Sequence, residues 1–172
     1  GFMSGGHLFV SGRCKEMIIL NGRKVNDSMG AFVADAAIKQ MIEAGMAPKN
    51  ATVVVLGITF KEDCPDTRNS KVVDVINRLK EFDIQPVVTD PWADAEVAKH
   101  EYGVELTDFD RLPKADCVIV AGGHGEFRAL SLMQLRELFK SELSNDERVL
   151  IDVKSLYRMD ELKASGLRFW RL

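Results

Sequence analysis

Val53-Val54-Val55-Leu56-Gly57-Ile58-Thr59-Phe60-Lys61-Glu62-Asp63-Cys64-Pro65-Asp66-Thr67-Arg68-Asn69-Ser70 is the stretch on which the fold turns. It opens as a buried strand over 52–56, β-branched and without a charge. From Lys71 it reads as an amphipathic helix over 71–82, with Val72, Val75, Ile76 and Leu79 on one stripe. Between strand and helix runs a connection of about a dozen residues, where strand-to-helix loops in α/β units take roughly 2–6. A loop of that length in a compact domain tends to carry function. It also leaves the carboxyl end of a strand, where open α/β sheets bind their ligands.

Outward from this stretch the chain alternates strand and helix. A strand is predicted over 85–89, ending in Asp90-Pro91, then a short helix over 93–100 and a brief strand over 103–106. A strand over 116–121 leads into the turn Gly122-Gly123-His124-Gly125 and a helix over 131–139. A buried strand over 149–153 and an edge strand over 167–170 complete the pattern. Such alternation predicts a parallel sheet with right-handed crossovers and helices on both faces, a Rossmann-like doubly wound α/β domain over 49–172. A long helix precedes it. Asn26 or Asp27 is a good N-cap, Met29, Phe32, Val33, Ala36, Ala37 and Met41 recur at helical spacing, and Gly45 and Pro48 stop the run. Within the segment 21–48, this 27–45 helix reads either as core packing or as a linker or dimer-forming helix whose Ala and Met content allows close approach. Residues 1–20 are poorly defined, compatible with short strands or one helix broken at Gly12, and the first few resemble an expression remnant.

A formal charge of −3 gives no electrostatic reason to expect nucleic acid or an anionic membrane as partner. No apolar run approaches the roughly 18 residues that span a bilayer. The amino end lacks a charged segment before an apolar one, so it does not read as a secretory signal. Cys14, Cys64 and Cys117 are widely spaced and unpaired by any motif, which suits a reducing cytoplasm. With no Cys-x-x-Cys and no His cluster of ligand spacing, no metal site is expected.

Gly57-Ile58-Thr59-Phe60 does not match the Gly-x-Gly-x-x-Gly dinucleotide fingerprint, and no phosphate-binding P-loop occurs. What the long loop offers is Lys61 near a strand end, Arg68 seven residues later and amides at a helix start. A mobile point charge, a planar fork and N–H donors suit an anion with several oxygens. The alternative makes both cations surface charges paired with Glu62, Asp63 and Asp66. Lys154, after the strand over 149–153, could reach the same crevice or be solvated. His124 reads as a hydrogen-bonded turn residue rather than a catalytic base, and Trp92 and Trp170 as packing residues. No cysteine has a base visible beside it: Cys117 lies in an apolar strand, and the acids around Cys64 disfavour a thiolate. A receiver-like switch with Asp90 as phosphoacceptor is a further reading, disfavoured by Pro91 and by the lack of an acidic cluster near the first strand's end.

Gly57-Ile58-Thr59-Phe60-Lys61-Glu62-Asp63-Cys64-Pro65-Asp66-Thr67-Arg68-Asn69-Ser70 closely resembles the signature of the UDP-glucose/GDP-mannose dehydrogenase family, in its carboxyl-terminal domain. Gly22-Arg23-Lys24-Val25-Asn26-Asp27, Thr89-Asp90-Pro91, His124-Gly125-Glu126-Phe127-Arg128 and Asp152-Val153-Lys154 agree with it, so the likeness runs from about Met17 to the end. The Pro65-Asp66-Thr67-Arg68-Asn69-Ser70 form looks like the branch acting on UDP-N-acetylhexosamines. The resemblance implies an NAD-dependent oxidation of a sugar C6 alcohol to a carboxylate in two hydride transfers. It implies an amino-terminal Rossmann domain for NAD, a central helix that builds a homodimer, here 27–45, and a carboxyl-terminal domain that clasps the UDP-sugar. By similarity Phe60, Lys61 and Lys154 would contact the substrate, and Arg68 would reach NAD.

The sequence also departs from the family. Gly12-Arg13-Cys14-Lys15 lacks the proline and aspartate of the family's Gly-x-Cys-x-Pro-Lys-Asp segment, so the nucleophile's role does not transfer to Cys14 and no catalytic residue is assigned. No NAD-domain fingerprint is present. The chain reads as a carboxyl-terminal portion, expected to be inactive alone, with a helix-mediated assembly module lacking its own ligand as the alternative.

Overall fold

Four short, largely aliphatic runs and an Arg-Phe-Trp-Arg edge strand pair side by side into one parallel sheet in the computed structural model. The structure describes residues 29–172 apart from Phe60, and of the residues before 29 only the backbone of 2–4, 7–9, 19–20 and 23–28. The sheet strands are β1 (Val53–Leu56), β2 (Val87–Thr89), β3 (Cys117–Val120), β4 (Val149–Asp152) and β5 (Arg168–Arg171), in the order β2-β1-β3-β4-β5. The register sets Val54 beside Val87 on one side and Val118 on the other. Alternation then divides each strand between two cores. Val53, Val55, Cys117, Ile119, Val149 and Ile151 enter one, while Val54, Leu56, Val118, Val120 and Leu150 enter the other. Burial on both faces is why these strands read as continuous apolar runs rather than alternating ones.

Helices α1 (Val25–Glu43) and α2 (Val72–Lys80) cover the first core. The helix α3 (Ala95–Tyr102) follows β2, and the short helices α4 (Gly125–Arg128), α5 (Leu132–Arg136) and α6 (Met159–Ser165) lie on the second. The doubly wound α/β architecture expected from the sequence is therefore the one observed. The stripe expected on α2 is the buried one. Caps mark the helix starts: Asp94 accepts the N–H groups of Glu96 and Val97, and Ser131 with Gln134 forms a capping box. At the amino edge of the sheet, Asp116 Oδ2 accepts from Thr52 N–H and Lys140 Nζ, both at 2.7 Å, tying β1, β3 and the segment after α5.

Several expectations need correction. Residues 103–106 form no strand; Leu106 makes a single bridge to Val88, secured by Thr107 N–H to Val88 O. Helices α4 and α6 were not foreseen, because each is short and buries one residue, Phe127 or Leu162, leaving no periodicity to read. Residues 2–4 with 7–9 and 19–20 with 23–24 form antiparallel pairs, the short-strand member of the two alternatives that the sequence leaves open. The stripe on α1 is rotated from the one expected. Val33, Ala34, Ala37, Ile38 and Met41 are buried, while Phe32 is exposed and meets the edge of the Trp170 ring at 5.6 Å.

Gly30 explains that rotation. A Cβ there would lie 2.4 Å from the Asp74 Cβ and 3.0 Å from the Lys71 carbonyl, so α1 and α2 touch backbone to backbone at this point. Small Ala34 and Ala37, further along α1, are fully buried in the same core. Gly30→Ala should destabilise the fold by about 2 kcal/mol through overpacking, although alanine is the better helix former. An unchanged urea midpoint would refute the close crossing.

Candidate functional site

β1 has β2 on one side and β3 on the other, and the chain leaves it in a 57–71 loop before α2. Where strand order reverses in this way, the crevice beyond the carboxyl ends is the expected ligand site of an open α/β sheet. Two glycines make the close approach there. Gly57 has φ +95°, and a Cβ on it would stand 2.5 Å from the Gly122 Cα. Gly57 N–H donates to Thr89 O and Gly122 N–H to Leu56 O, both at 2.8 Å, so three strand ends converge on one point.

Asp90, immediately after β2, locks that convergence. Its fully buried carboxyl accepts Ile58 N–H (2.7 Å) and Thr59 N–H (3.1 Å) on Oδ2, and Trp92 N–H (2.8 Å) and Ala93 N–H (2.9 Å) on Oδ1. Burial alone would raise its pKa, but the four backbone donors outweigh that and hold the carboxyl below the usual range. With both oxygens committed to backbone amides, Asp90 is not arranged as a phosphoacceptor.

His124 stands next to it, its side chain wholly buried and tilted against the Phe127 ring. Nδ1 accepts from Asp63 N–H at 2.9 Å, which places the ring proton on Nε2, 2.9 Å from Thr59 Oγ1 and 3.1 Å from Asp90 Oδ2. Thr59 Oγ1 in turn donates to Lys61 O at 3.0 Å. Asp63, at φ +52°, also accepts Gly125 N–H on Oδ1 at 2.8 Å. A left-handed non-glycine residue costs about 1–3 kcal/mol, tolerated where surrounding contacts determine it. His124 is thus the hydrogen-bonded turn residue that the sequence suggests, and with Asp90 it organises the loop. The signs of this in the sequence were an acid directly after one strand and a histidine in a glycine-rich turn after the next.

The loop's acids are distributed among specific partners. Glu62 pairs with Arg128 on α4, Asp63 bonds the turn at Gly125, and Asp66 is gripped in a fork by Arg68 Nε (2.8 Å) and Nη2 (3.0 Å). The side-chain bonds from Arg68, then its backbone N–H, bring the Asp66 carboxyl down to about 2, with Lys61 adding a weaker pull. Arg68 therefore follows the surface-pair reading, although its side chain is 78% exposed. It lies beside α3, where Glu101 and Tyr102 add to its field. Lys61 is exposed, with no ion pair or hydrogen bond from its ammonium to any described residue. Lys154 is exposed likewise, on a turn pinned by Asp152, whose buried carboxylate accepts Leu156 N–H (3.0 Å) and Tyr157 N–H (3.1 Å). Its strand is two places from β1, so the strand ends from which the two loops leave are roughly 10 Å apart along one edge. Phe60 and Cys14 lie outside the described residues.

A hollow of about 550 Å³ opens beside this edge, lined among others by Thr107, Asp108, Phe109, Glu126 and Leu130, and neither Lys61, Arg68 nor Lys154 lines it. The cations share an edge rather than that hollow. Trp92 is not a core residue; it is 42% exposed and donates Nε1–H to Glu126 at 3.2 Å. Cys117 is sealed in β3, where burial and then the Asp116 charge push its thiol up, and Cys64 is half-buried. Among the described residues no His, Cys, Asp and Glu side chains group in a way that could hold a metal ion, and no helix is long and apolar enough to cross a membrane.

The fold and the crevice define a doubly wound α/β ligand-binding domain. The chain belongs to the UDP-glucose/GDP-mannose dehydrogenase family, whose UDP binding domain matches residues 54–159. It is 42% identical over 147 residues to the UDP-N-acetyl-D-glucosamine 6-dehydrogenase of Pseudomonas aeruginosa, covering 86% of this chain and 33% of that protein. With the Salmonella typhi protein of the same name it shares 39% identity over 137 residues, 80% of this chain and 31% of the relative. The chain thus spans about a third of the length of the curated relatives it matches. Among solved structures, the UDP-N-acetyl-mannosamine dehydrogenase of Staphylococcus aureus superposes with a TM-score of 0.59 at 27% identity, covering 87% of this chain and 32% of that one. The NDP-N-acetyl-D-galactosaminuronic acid dehydrogenase of Methanosarcina mazei shares the fold at a TM-score of 0.73 and 24% identity, covering 87% of this chain and 30% of that one.

Because the Asp90 carboxyl has a lower pKa folded than unfolded, it contributes stability that is complete above an unfolded value of about 3.9 and lost as pH falls through the folded value. Asp90→Asn strands two amide donors and should cost about 2–3 kcal/mol at pH 7. The gap to the native chain in urea midpoint should close below about pH 4; a gap independent of pH would show that the charge contributes nothing.

Proposed function

We propose that this chain supplies the nucleotide-sugar grip of an NAD-dependent UDP-sugar 6-dehydrogenase acting on a UDP-N-acetylhexosamine in the cytoplasm. Membership of the family and the printed activities of the relatives support that reading. The observation that carries it is Lys61: an ammonium at the switch point, on an anchored loop, with every neighbouring acid directed elsewhere. Such a charge suits one end of a diphosphate, and Lys154 on the same edge suits the other end or the sugar. Phe60, beside Lys61 in sequence, is the proposed apolar contact to the nucleotide.

Arg68 is the proposed contact to NAD. Asp66 occupies the Nε–Nη2 edge of its guanidinium and leaves Nη1 without a hydrogen bond to a described residue, which fits a phosphate approaching across a cleft. NAD would supply the hydride acceptor for both oxidation steps. These 172 residues offer neither the glycine fingerprint for it nor, among the described cysteines, an exposed thiol with a base beside it. They should therefore bind nucleotide without turnover. A helix-mediated homodimer is a compatible second reading, supported by Phe32 and Ile42, which stand 55% and 58% exposed on α1.

Calorimetric titration should show UDP binding to the native chain and about tenfold weaker binding to Lys61→Ala, roughly 1.4 kcal/mol. No heat at millimolar UDP, or identical isotherms for the two proteins, would defeat the grip. In sedimentation, the native chain should run as a dimer and Ile42→Glu as a folded monomer. A native monomer, or a variant still dimeric, would remove the helix-mediated pair.

A further inference from the structure

We infer that His124 is a positioning residue of the nucleotide grip: one imidazole holds the Lys61 carbonyl through the Thr59 hydroxyl and the Asp63 amide directly, and so sets where the Lys61 ammonium stands. The inference rests on the reading of Lys61 as a contact to a nucleoside diphosphate.

Both ring nitrogens are directed to the 57–71 loop. Nε2–H reaches Thr59 Oγ1, whose own proton goes to the Lys61 carbonyl, and Nδ1 receives Asp63 N–H. The Lys61 carbonyl is therefore held through one relay while the amide two residues on is held directly. Asp90 Oδ2, 3.1 Å from Nε2, fixes the ring's tautomer and orientation, and also accepts the amides of Ile58 and Thr59. The ring cannot drift, since it is wholly buried and rests on Phe127. Gly122 and Gly123 bring it in: a Cβ on Gly122 would stand 3.2 Å from the imidazole Cδ2, and one on Gly123 would meet the Glu62 carboxylate at 2.4 Å. Two further contacts hold the rest of the loop tip to the same turn, Asp63 Oδ1 to Gly125 N–H and Glu62 to Arg128. Among the described residues nothing ties the Lys61 ammonium by a hydrogen bond or ion pair. Its position is inherited from the backbone, and the backbone's position from the imidazole.

A histidine that merely stabilised the fold would lower stability without acting through Lys61. The two roles separate in a double-mutant cycle on the full chain, read by UDP titration. His124→Asn keeps an acceptor near Nδ1 for Asp63 N–H, and His124→Gln keeps a donor near Nε2 for Thr59 and Asp90, so each variant breaks one half of the clamp while filling most of the site. Each should weaken UDP binding about fivefold with Lys61 present and less than twofold in the Lys61→Ala background. Amide exchange supplies the second measurement. The Asp63 N–H should exchange slowly in the native chain and in His124→Asn, and fast in any His124 variant with no acceptor at the Nδ1 position, including His124→Gln, whose amide lies farther out near Nε2. Undiminished UDP affinity in both variants, equal losses in the two Lys61 backgrounds, or a fast Asp63 amide in the native chain would each overturn the clamp while leaving the Lys61 contact standing. Native binding unaffected by Lys61→Ala would overturn both.

Discussion

The ends of β1, β2 and β3 meet at a single buried carboxylate, and the geometry of the crevice follows from how Asp90 is satisfied. Ordering a chain segment costs roughly 1–2 kcal/mol per residue, so a loop of the length of 57–71 holds one conformation only if something repays that cost. Few apolar contacts are available on such a path: Ile58 is buried, but Lys61, Glu62, Asp63 and Arg68 are exposed. Polar anchors do the holding instead. The Ile58 and Thr59 N–H groups on Asp90, and His124 held between Thr59 and Asp63, fix the first half of the loop. Thr67 and Ser70 fix the last, the Thr67 carbonyl accepting from the Tyr102 hydroxyl and the Ser70 hydroxyl from Val72 N–H. The exposed stretch between is where a ligand can be met by charges that the fold does not otherwise use.

Charge is sorted along that stretch by geometry rather than by sequence order. Glu62, Asp63 and Asp66 all lie within five residues of Lys61, and composition alone pairs them with it or with Arg68. In the structure Glu62 leans to α4, Asp63 turns to the glycine-rich segment, and only Asp66 takes a cation from its own loop. The result is an asymmetric pair of cations: Arg68 with one edge occupied and its charge partly neutralised, Lys61 with its charge intact. A guanidinium so engaged makes a directional contact to one phosphate, whereas an unpaired ammonium adapts to several oxygens. That asymmetry agrees with separate roles toward a cofactor and a nucleotide better than with one anion shared between them.

The sheet was legible in the sequence because its central strands are buried on both faces and its crossovers are rich in charge, so Val53–Leu56, Cys117–Val120 and Val149–Asp152 stand out as apolar runs. The long loop was legible for a complementary reason: beyond Ile58 and Phe60 no periodic apolar pattern fills the interval between β1 and α2. The anchors were not. Asp90 looks like a turn residue and His124 like an isolated polar side chain until topology places their two turns beside Thr59. Hydrogen bonds between residues 31–65 apart in sequence leave no periodicity to detect. Residues 103–106 misled for the opposite reason: alternating Val104 and Leu106 imitate a strand, but a single bridge to Val88 is all the edge of β2 supports.

The helix α1 shows how packing decides between two uses that composition leaves open. Its small residues suggested a surface made for close approach to a second helix, and a close approach does occur, but inside the chain: Gly30, Ala34 and Ala37 face inward, where α1 meets α2 and the sheet. A helix cannot offer the same stripe twice. Any pairing of two copies through α1 must then use the opposite side, where Phe32 and Ile42 project ten residues apart, nearly three turns along the axis. Large side chains at that spacing hold two helices at the wider separation typical of interlocking ridges rather than at backbone contact. The helix is therefore core on one face, while the other carries Phe32, already packed against Trp170, and the exposed Ile42.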